Sequence, residues 1–285
     1  MARGYSSPVA ALLEPELVGL IDDAAIFPPG NAGLTDAAAA YVERDEPLVG
    51  SFVLRDTDLP AMTLAAGVRV PVSVVVTGGA GQIAGPARYC AREQGYELAG
   101  LEIALRDLDD LAGNTRRVVT AVDAARDEGT LAEDVPVYVE LPHVGSTASW
   151  LAAADEVAAA ELRLKFRTGG LEAEAFPAAH ALARWIDAAL DRETAFKCTA
   201  GLHRAVRNTS PEGFEQHGFL NLLVATKQAF DGAAVPEVVD VLESREGTAL
   251  AAADRSGARR WFTSFGSCSV DEPLEDLRAL GLVER

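Results

Sequence analysis

The sequence predicts an α/β protein of one domain, a (β/α)8 TIM barrel over residues 1–285 with a helical insertion between strands seven and eight. Three observations carry this expectation. Eight short β-rich runs alternate with alanine-rich amphipathic segments. Such alternation implies a parallel sheet, and eight units imply closure. No linker, repeat or low-complexity tract divides the chain. The length of 285 residues suits one barrel, a fold of about 250 residues that needs neither disulfides nor metals to bury its core.

The expected strands, in order, are 18–22, 50–54, 71–77, 100–105, 136–141, 162–167, 195–199 and 261–265. Helices are expected at 35–44, 83–94, 111–127, 148–160, 178–190 and 219–230. Thr35 and Thr147 suit N-caps, because a hydroxyl oxygen there accepts a bond from an orphan N–H of the first turn. Further helices at 236–244 and 248–253 lengthen the connection to the eighth strand. They read as an insertion on the barrel, not a second domain.

Strand side chains alternate between faces, so parity sorts each run. Leu162, Leu164 and Phe166 oppose Arg163, Lys165 and Arg167. Leu101, Ile103 and Leu105 oppose Glu102, Ala104 and Arg106. Val137, Val139 and Leu141 oppose Tyr138 and Glu140, and Phe196 and Cys198 oppose Lys197 and Thr199. Apolar faces pack on helices, so Glu102, Glu140, Lys165, Arg167 and Lys197 are expected to point inward. Buried charges must pair or be used. The structural alternative is an ion-pair network; position near strand C-termini favours chemistry.

Lysine occurs only at Lys165, Lys197 and Lys227, all other Lys+Arg positions being arginine. A lysine kept where arginine is the rule suggests a need for an amine. Lys165 and Lys197 fall at matching heights on neighbouring strands, which lie about 4.8 Å apart. Two ammonium groups that close are expected to lower one pKa, giving a nucleophile for carbonyls. Asp22, Asp23, Glu102 and Glu140 face the same mouth and suit proton transfer, although each alone suits an ion pair. Thr168, Gly169 and Gly170 follow the sixth strand, Gly201 the seventh, and Ser264, Gly266, Ser267 and Ser269 the eighth. With Arg167 they form a candidate anion site, since barrels often hold phosphate after strands seven and eight. His203 lies just beyond the seventh strand, as a substrate-binding or proton-moving group. His143 and His217 fall in loops and His180 on a helix.

These motifs resemble the deoxyribose-phosphate aldolase group of class I aldolases. Ile21-Asp22 with Phe27-Pro28-Pro29 is similar to that family's first strand and loop, and Val139-Glu140 to the end of its fifth. Lys165-Phe166-Arg167-Thr168-Gly169 is similar to its Schiff-base lysine motif. Lys197-Cys198-Thr199-Ala200-Gly201-Leu202-His203 is similar to the second-lysine motif, and Gly266-Ser267-Cys268-Ser269 to the phosphate loop. Phe166-Arg167 replaces small polar residues, Ala200 and His203 replace a Gly and an Arg, and Glu102 stands for an Asp. These departures argue against a 5-phosphorylated deoxy sugar. Asp22-Asp23-Ala24-Ala25-Ile26-Phe27-Pro28-Pro29 and His217-Gly218-Phe219-Leu220-Asn221 are also similar to an uncharacterised bacterial family on the same barrel.

The first functional expectation is therefore a Schiff-base carbon–carbon lyase acting on a small, anionic or phosphorylated carbonyl compound. Lys165 would be the nucleophile, Lys197 would tune it, and Asp22 and Glu102 would move protons; Glu140, Arg167, Thr168 and the loop residues would hold substrate. The second is a metal-dependent lyase or isomerase using Glu102, Glu140, His143 and His203, although no HxH or HxxE spacing supports it. The third is a non-catalytic ligand-binding barrel. No cofactor or metal is expected under the first. The net charge of −18 argues against nucleic acid and anionic membranes as partners. Cys90, Cys198 and Cys268 are too few and scattered for a disulfide framework. Residues 1–8 hold no apolar run after Arg3, and no uncharged 18-residue apolar stretch exists, so a cytoplasmic location is expected. Assembly into a homo-oligomer is left open.

Overall fold

Strands β1 (Ile21–Asp23), β2 (Val49–Arg55), β3 (Val70–Val76), β4 (Tyr96–Ala104), β5 (Val137–Glu140), β6 (Arg163–Arg167), β7 (Phe196–Thr199) and β10 (Phe262–Ser267) form a closed parallel barrel in a computed structural model. The structure describes residues 13–284, so the expectation on residues 1–8 lies outside the described residues. Helices α1 (Leu34–Glu43), α2 (Ala84–Arg92), α3 (Leu111–Asp127), α4 (Ala148–Ala159) and α5 (Ala179–Asp191) occupy connections between successive strands; a short 3₁₀ turn, Leu59–Ala61, serves between β2 and β3. Between β7 and β10 lie a hairpin, β8 (Asn208–Thr209) with β9 (Glu215–Gln216), then α6 (Phe219–Phe230), α7 (Val235–Glu243) and α8 (Gly247–Ala252). Helix α9 (Asp271–Ala279) follows the last strand and was not expected from the sequence. No helix among the described residues is long and apolar enough to cross a membrane.

Two local expectations are corrected. The first strand begins at Ile21, not residue 18, because Gly19 takes a left-handed φ of 59° that ends a turn. Thr35 lies inside α1, whose N-cap is Gly33 without a side-chain bond, whereas Thr147 does cap α4 by accepting from Trp150 N.

Parity sets the core. Phe166 and Phe196 face outward, their rings 5.0 Å apart, and Phe166 packs on Trp185 (5.7 Å) and Trp150 (6.2 Å) from α5 and α4. Such aromatic pairs add about 0.5–1.5 kcal/mol each beyond area burial. Strand β10 breaks the alternation. Its register shifts between Phe262 and Phe265, both of which stack outward, on Phe196 and Phe219. Thr263 and Ser264 therefore both reach the interior, as a bulge permits.

Candidate active site

Inside the barrel the polar parity converges. Lys165 and Lys197 are direct partners across β6 and β7, and Glu140 pairs with Lys165 across β5 and β6. Glu102 reaches across from β4. The result is a chain of alternating charge. Asp22 bonds Lys197 at 2.7 Å, Lys197 bonds Glu102 at 2.6 Å, and Glu102 bonds Lys165 at 2.7 Å. Lys165 bonds Glu140 at 2.9 Å, and Glu140 bonds Arg167 at 2.8 Å. Three carboxylates thus meet three cations, and each charge of this chain of contacts has an opposite neighbour.

Two serines secure the far end. Ser51 Oγ donates to Asp22 Oδ1 at 2.5 Å and Ser264 Oγ to Asp22 Oδ2 at 2.6 Å, while Ser51 and Ser73 hydroxyls lie 2.7 Å apart. Lys197 Nζ also sits 5.1 Å above the Tyr138 ring. Tyr138 is in turn held by Arg163 and Thr263 through its hydroxyl.

This network sets the charge states. Burial alone would raise the Glu102 pKa, but the two ammonium groups hold it down at about 2. Burial opposes the charge on Lys165, yet Glu102 and Glu140 more than reverse this and raise its pKa above the usual lysine value. Lys197 is raised likewise by Asp22 and Glu102 against the effect of burial. The expectation that one of the two lysine pKa values would fall is corrected. The nearest charges to both are carboxylates, some reaching from strands that are not neighbours.

Above the network opens a cavity of about 710 Å³ at the C-terminal ends of the strands. Its lining includes Lys165, Glu102, Glu140, Arg167, Gly170, Gly201, His203 and Gly266 from the sequence-derived set. Lys197, Asp22, Thr168, Gly169, Ser264, Ser267 and Ser269 lie outside that lining. Lys197 is 1 % exposed and lies beneath the cavity, tied to Asp22 and Glu102. Thr168 Oγ1 donates to Ala200 O at 2.6 Å, joining the loops after β6 and β7. Gly169 packs on Gly201; a Cβ there would lie 2.6 Å from the Gly201 Cα. Ser264 serves Asp22, and Ser267 Oγ donates to Ser269 O at 2.7 Å. Ser269 Oγ accepts from Glu272 N at 3.3 Å.

The histidines separate by surroundings. His203 Nδ1 lies 3.1 Å from Glu272, with the Cys268 thiol about 4 Å from the ring and held protonated by burial. His143 stacks edge-on against Trp185 at 5.4 Å and is not in the lining. His217 is fully buried, with its Nε2 at 2.8 Å from Pro177 O and its Nδ1 at 3.2 Å from Arg207. Burial pushes its pKa down to about 4, so it is a neutral packing group. His180 is exposed on α5. No group of three or more His, Cys, Asp or Glu placed to share a cation occurs among the described residues.

Sequence reasoning missed Ser51 and Ser73, although a serine inside each of two valine-rich strands was a readable signal. It also missed Phe27, Phe176 and Phe214 as cavity walls. No family model, curated protein or solved structure matches this chain.

Proposed function

We propose that the protein is a Schiff-base lyase of the class I aldolase kind, acting on a carbonyl compound in the barrel mouth with Lys165 as nucleophile. One observation carries the assignment: of the two interior lysines, Lys165 alone lines the cavity, and both carboxylates that bond it, Glu102 and Glu140, line it too. Lys197 has no access to substrate and acts as a positioning residue that holds Glu102 ionised.

In the resting state Lys165 is an ammonium and must lose a proton before it attacks. Glu140 accepts that proton along the existing 2.9 Å contact. The free amine adds to the carbonyl, and the adduct becomes a neutral carbinolamine by moving a proton from nitrogen to oxygen. Glu140 returns its proton to that hydroxyl, which leaves as water and yields an iminium. With a β-hydroxy substrate, Glu140, again a carboxylate, takes the β-hydroxyl proton. The Cα–Cβ bond breaks with its electron pair passing to the iminium, and the β-carbon leaves as an aldehyde. The enamine then takes that proton back from Glu140 at Cα, and water hydrolyses the resulting iminium to free the product and Lys165. The group nearest the reacting atoms other than Glu140 is Glu102.

Borohydride reduction with a panel of aldehydes and ketones tests this by intact mass. Wild type and Lys197→Ala should gain the reduced adduct, and Lys165→Ala should not. The internal pairing of Lys165 and Lys197 with Asp22, Glu102 and Glu140 favours a second reading, a ligand-binding barrel. That reading expects saturable binding in the cavity with no adduct on any lysine and no turnover.

A further inference from the structure

The cavity has two chemically different ends. Its floor carries the buried Lys165, Glu102 and Glu140, while its mouth carries Phe27, Pro28 and Pro29 from the loop after β1, Leu171 and Phe176 after β6, and Phe214 from the β8–β9 turn, together with the polar Arg106, Arg167, His203 and Glu212. Phe176 and Phe214 face each other at 5.2 Å between ring centres. Leu171 is 64 % exposed, a large apolar side chain standing free at the rim. An exposed apolar group beside other apolar walls marks a place where something apolar binds.

The serine hydroxyls expected to hold a phosphate are otherwise engaged, although Gly170, Gly201 and Gly266 line the cavity. The hydroxyls of Ser264 and Ser267 donate within the protein, to Asp22 and to Ser269 O. Gly169 is buried against Gly201. Arg167 is bonded to Glu140. The volume, about 710 Å³, falls in the upper half of the usual 300–1,000 Å³ range for small-molecule sites.

We propose that the ligand is a carbonyl compound bearing an apolar tail of aryl or medium alkyl size, its carbonyl at Lys165 and its tail between the Phe176–Phe214 pair and the Phe27-Pro28-Pro29 loop. The placing of the carbonyl rests on the proposed imine chemistry; the tail subsite stands on the cavity walls alone. An apolar wall discriminates by roughly tenfold or more for each methylene it encloses. The tail therefore dominates selection, and the charged floor supplies the reaction.

Calorimetry with two unreactive carboxylates reads the subsite without the lysine's chemistry. 3-Phenylpropanoate should bind at least about tenfold more tightly than propanoate. Phe214→Ala should remove most of that difference and leave propanoate unchanged. Leu171→Ser, at an exposed position that folding does not depend on, should reduce it in the same direction. Equal affinities, no binding of 3-phenylpropanoate, or indifference to both variants would overturn the proposal. Borohydride trapping with phenylacetaldehyde and glyceraldehyde 3-phosphate separates the two inferences. Preference for 3-phenylpropanoate with no adduct from either aldehyde ends the imine reading and upholds the tail subsite. Adducts formed equally well, or faster with the phosphate, uphold the imine and end the tail proposal.

Discussion

Replacing Glu102 with glutamine should make the protein less stable and Lys165 more reactive. Glu102 is 2 % exposed and holds two ammonium groups, at 2.7 and 2.6 Å. The amide keeps one acceptor, but its NH2 must face the other ammonium. The pKa of Glu102 falls from 4.5 to about 2 in the folded protein, which at about 1.4 kcal/mol per unit corresponds to about 3 kcal/mol of stability. Breaking a buried pair by removing one partner costs about 3–5 kcal/mol, in agreement. For a chain of this size that lowers Tm by roughly 5–10 °C. The sign with pH follows from the depressed pKa. The carboxylate's contribution is complete above pH 4.5 and disappears as pH falls toward 2, with roughly 2 kcal/mol of it gone by pH 3. Urea unfolding of wild type and Glu102→Gln at pH 7 and pH 3 should therefore show a gap that narrows by about that amount. A gap under about 1 kcal/mol at pH 7, or one unchanged at pH 3, would refute the claim that Glu102 is the anion on which the network depends.

Because the Lys165 proton passes to Glu140 within the site, imine trapping should vary little from pH 7 to pH 9, and a rise of about tenfold per pH unit would show that the amine, whose pKa lies above the usual lysine value, is freed only by losing its proton to water. In Glu102→Gln the same rate at pH 7 should exceed that of wild type, since one of the anions favouring the ammonium is gone. Gly169→Ala should destabilise by about 1–3 kcal/mol in denaturant unfolding, because its Cβ would lie 2.6 Å from the Gly201 Cα and 2.8 Å from the Phe176 ring. Ala200 holds a left-handed φ of 64°, so Ala200→Gly should stabilise by about 1 kcal/mol despite the entropy a glycine adds to the unfolded chain.

The period of two along each strand made much of this legible. Parity alone placed Glu102, Glu140, Lys165 and Lys197 on the inner face, and the alignment of Lys165 with Lys197 is the observed register. The charge states were not legible, because they depend on contacts across the barrel. Glu102 on β4 reaches both β6 and β7, and neither is its neighbour. Adjacency in sequence order set the two lysines side by side; it offered Glu102 as an ion-pair partner but could not place it between them. Ser264 failed for a related reason. Counted as a loop donor, it is carried inward by the irregular register of β10 and bonds Asp22 instead. Phe214 was out of reach altogether: it enters the cavity wall from the β8–β9 turn, whose two short strands carry no hydrophobic pattern.

The most direct measurement is a crystal structure of the protein after borohydride reduction with the best-trapped aldehyde. The account predicts continuous electron density from Lys165 Nζ into the cavity, with Lys197 unmodified and still bonded to Asp22 and Glu102. Density joined to Lys197, or ligand seated in the cavity with both lysines unmodified and in their present ion pairs, would contradict it.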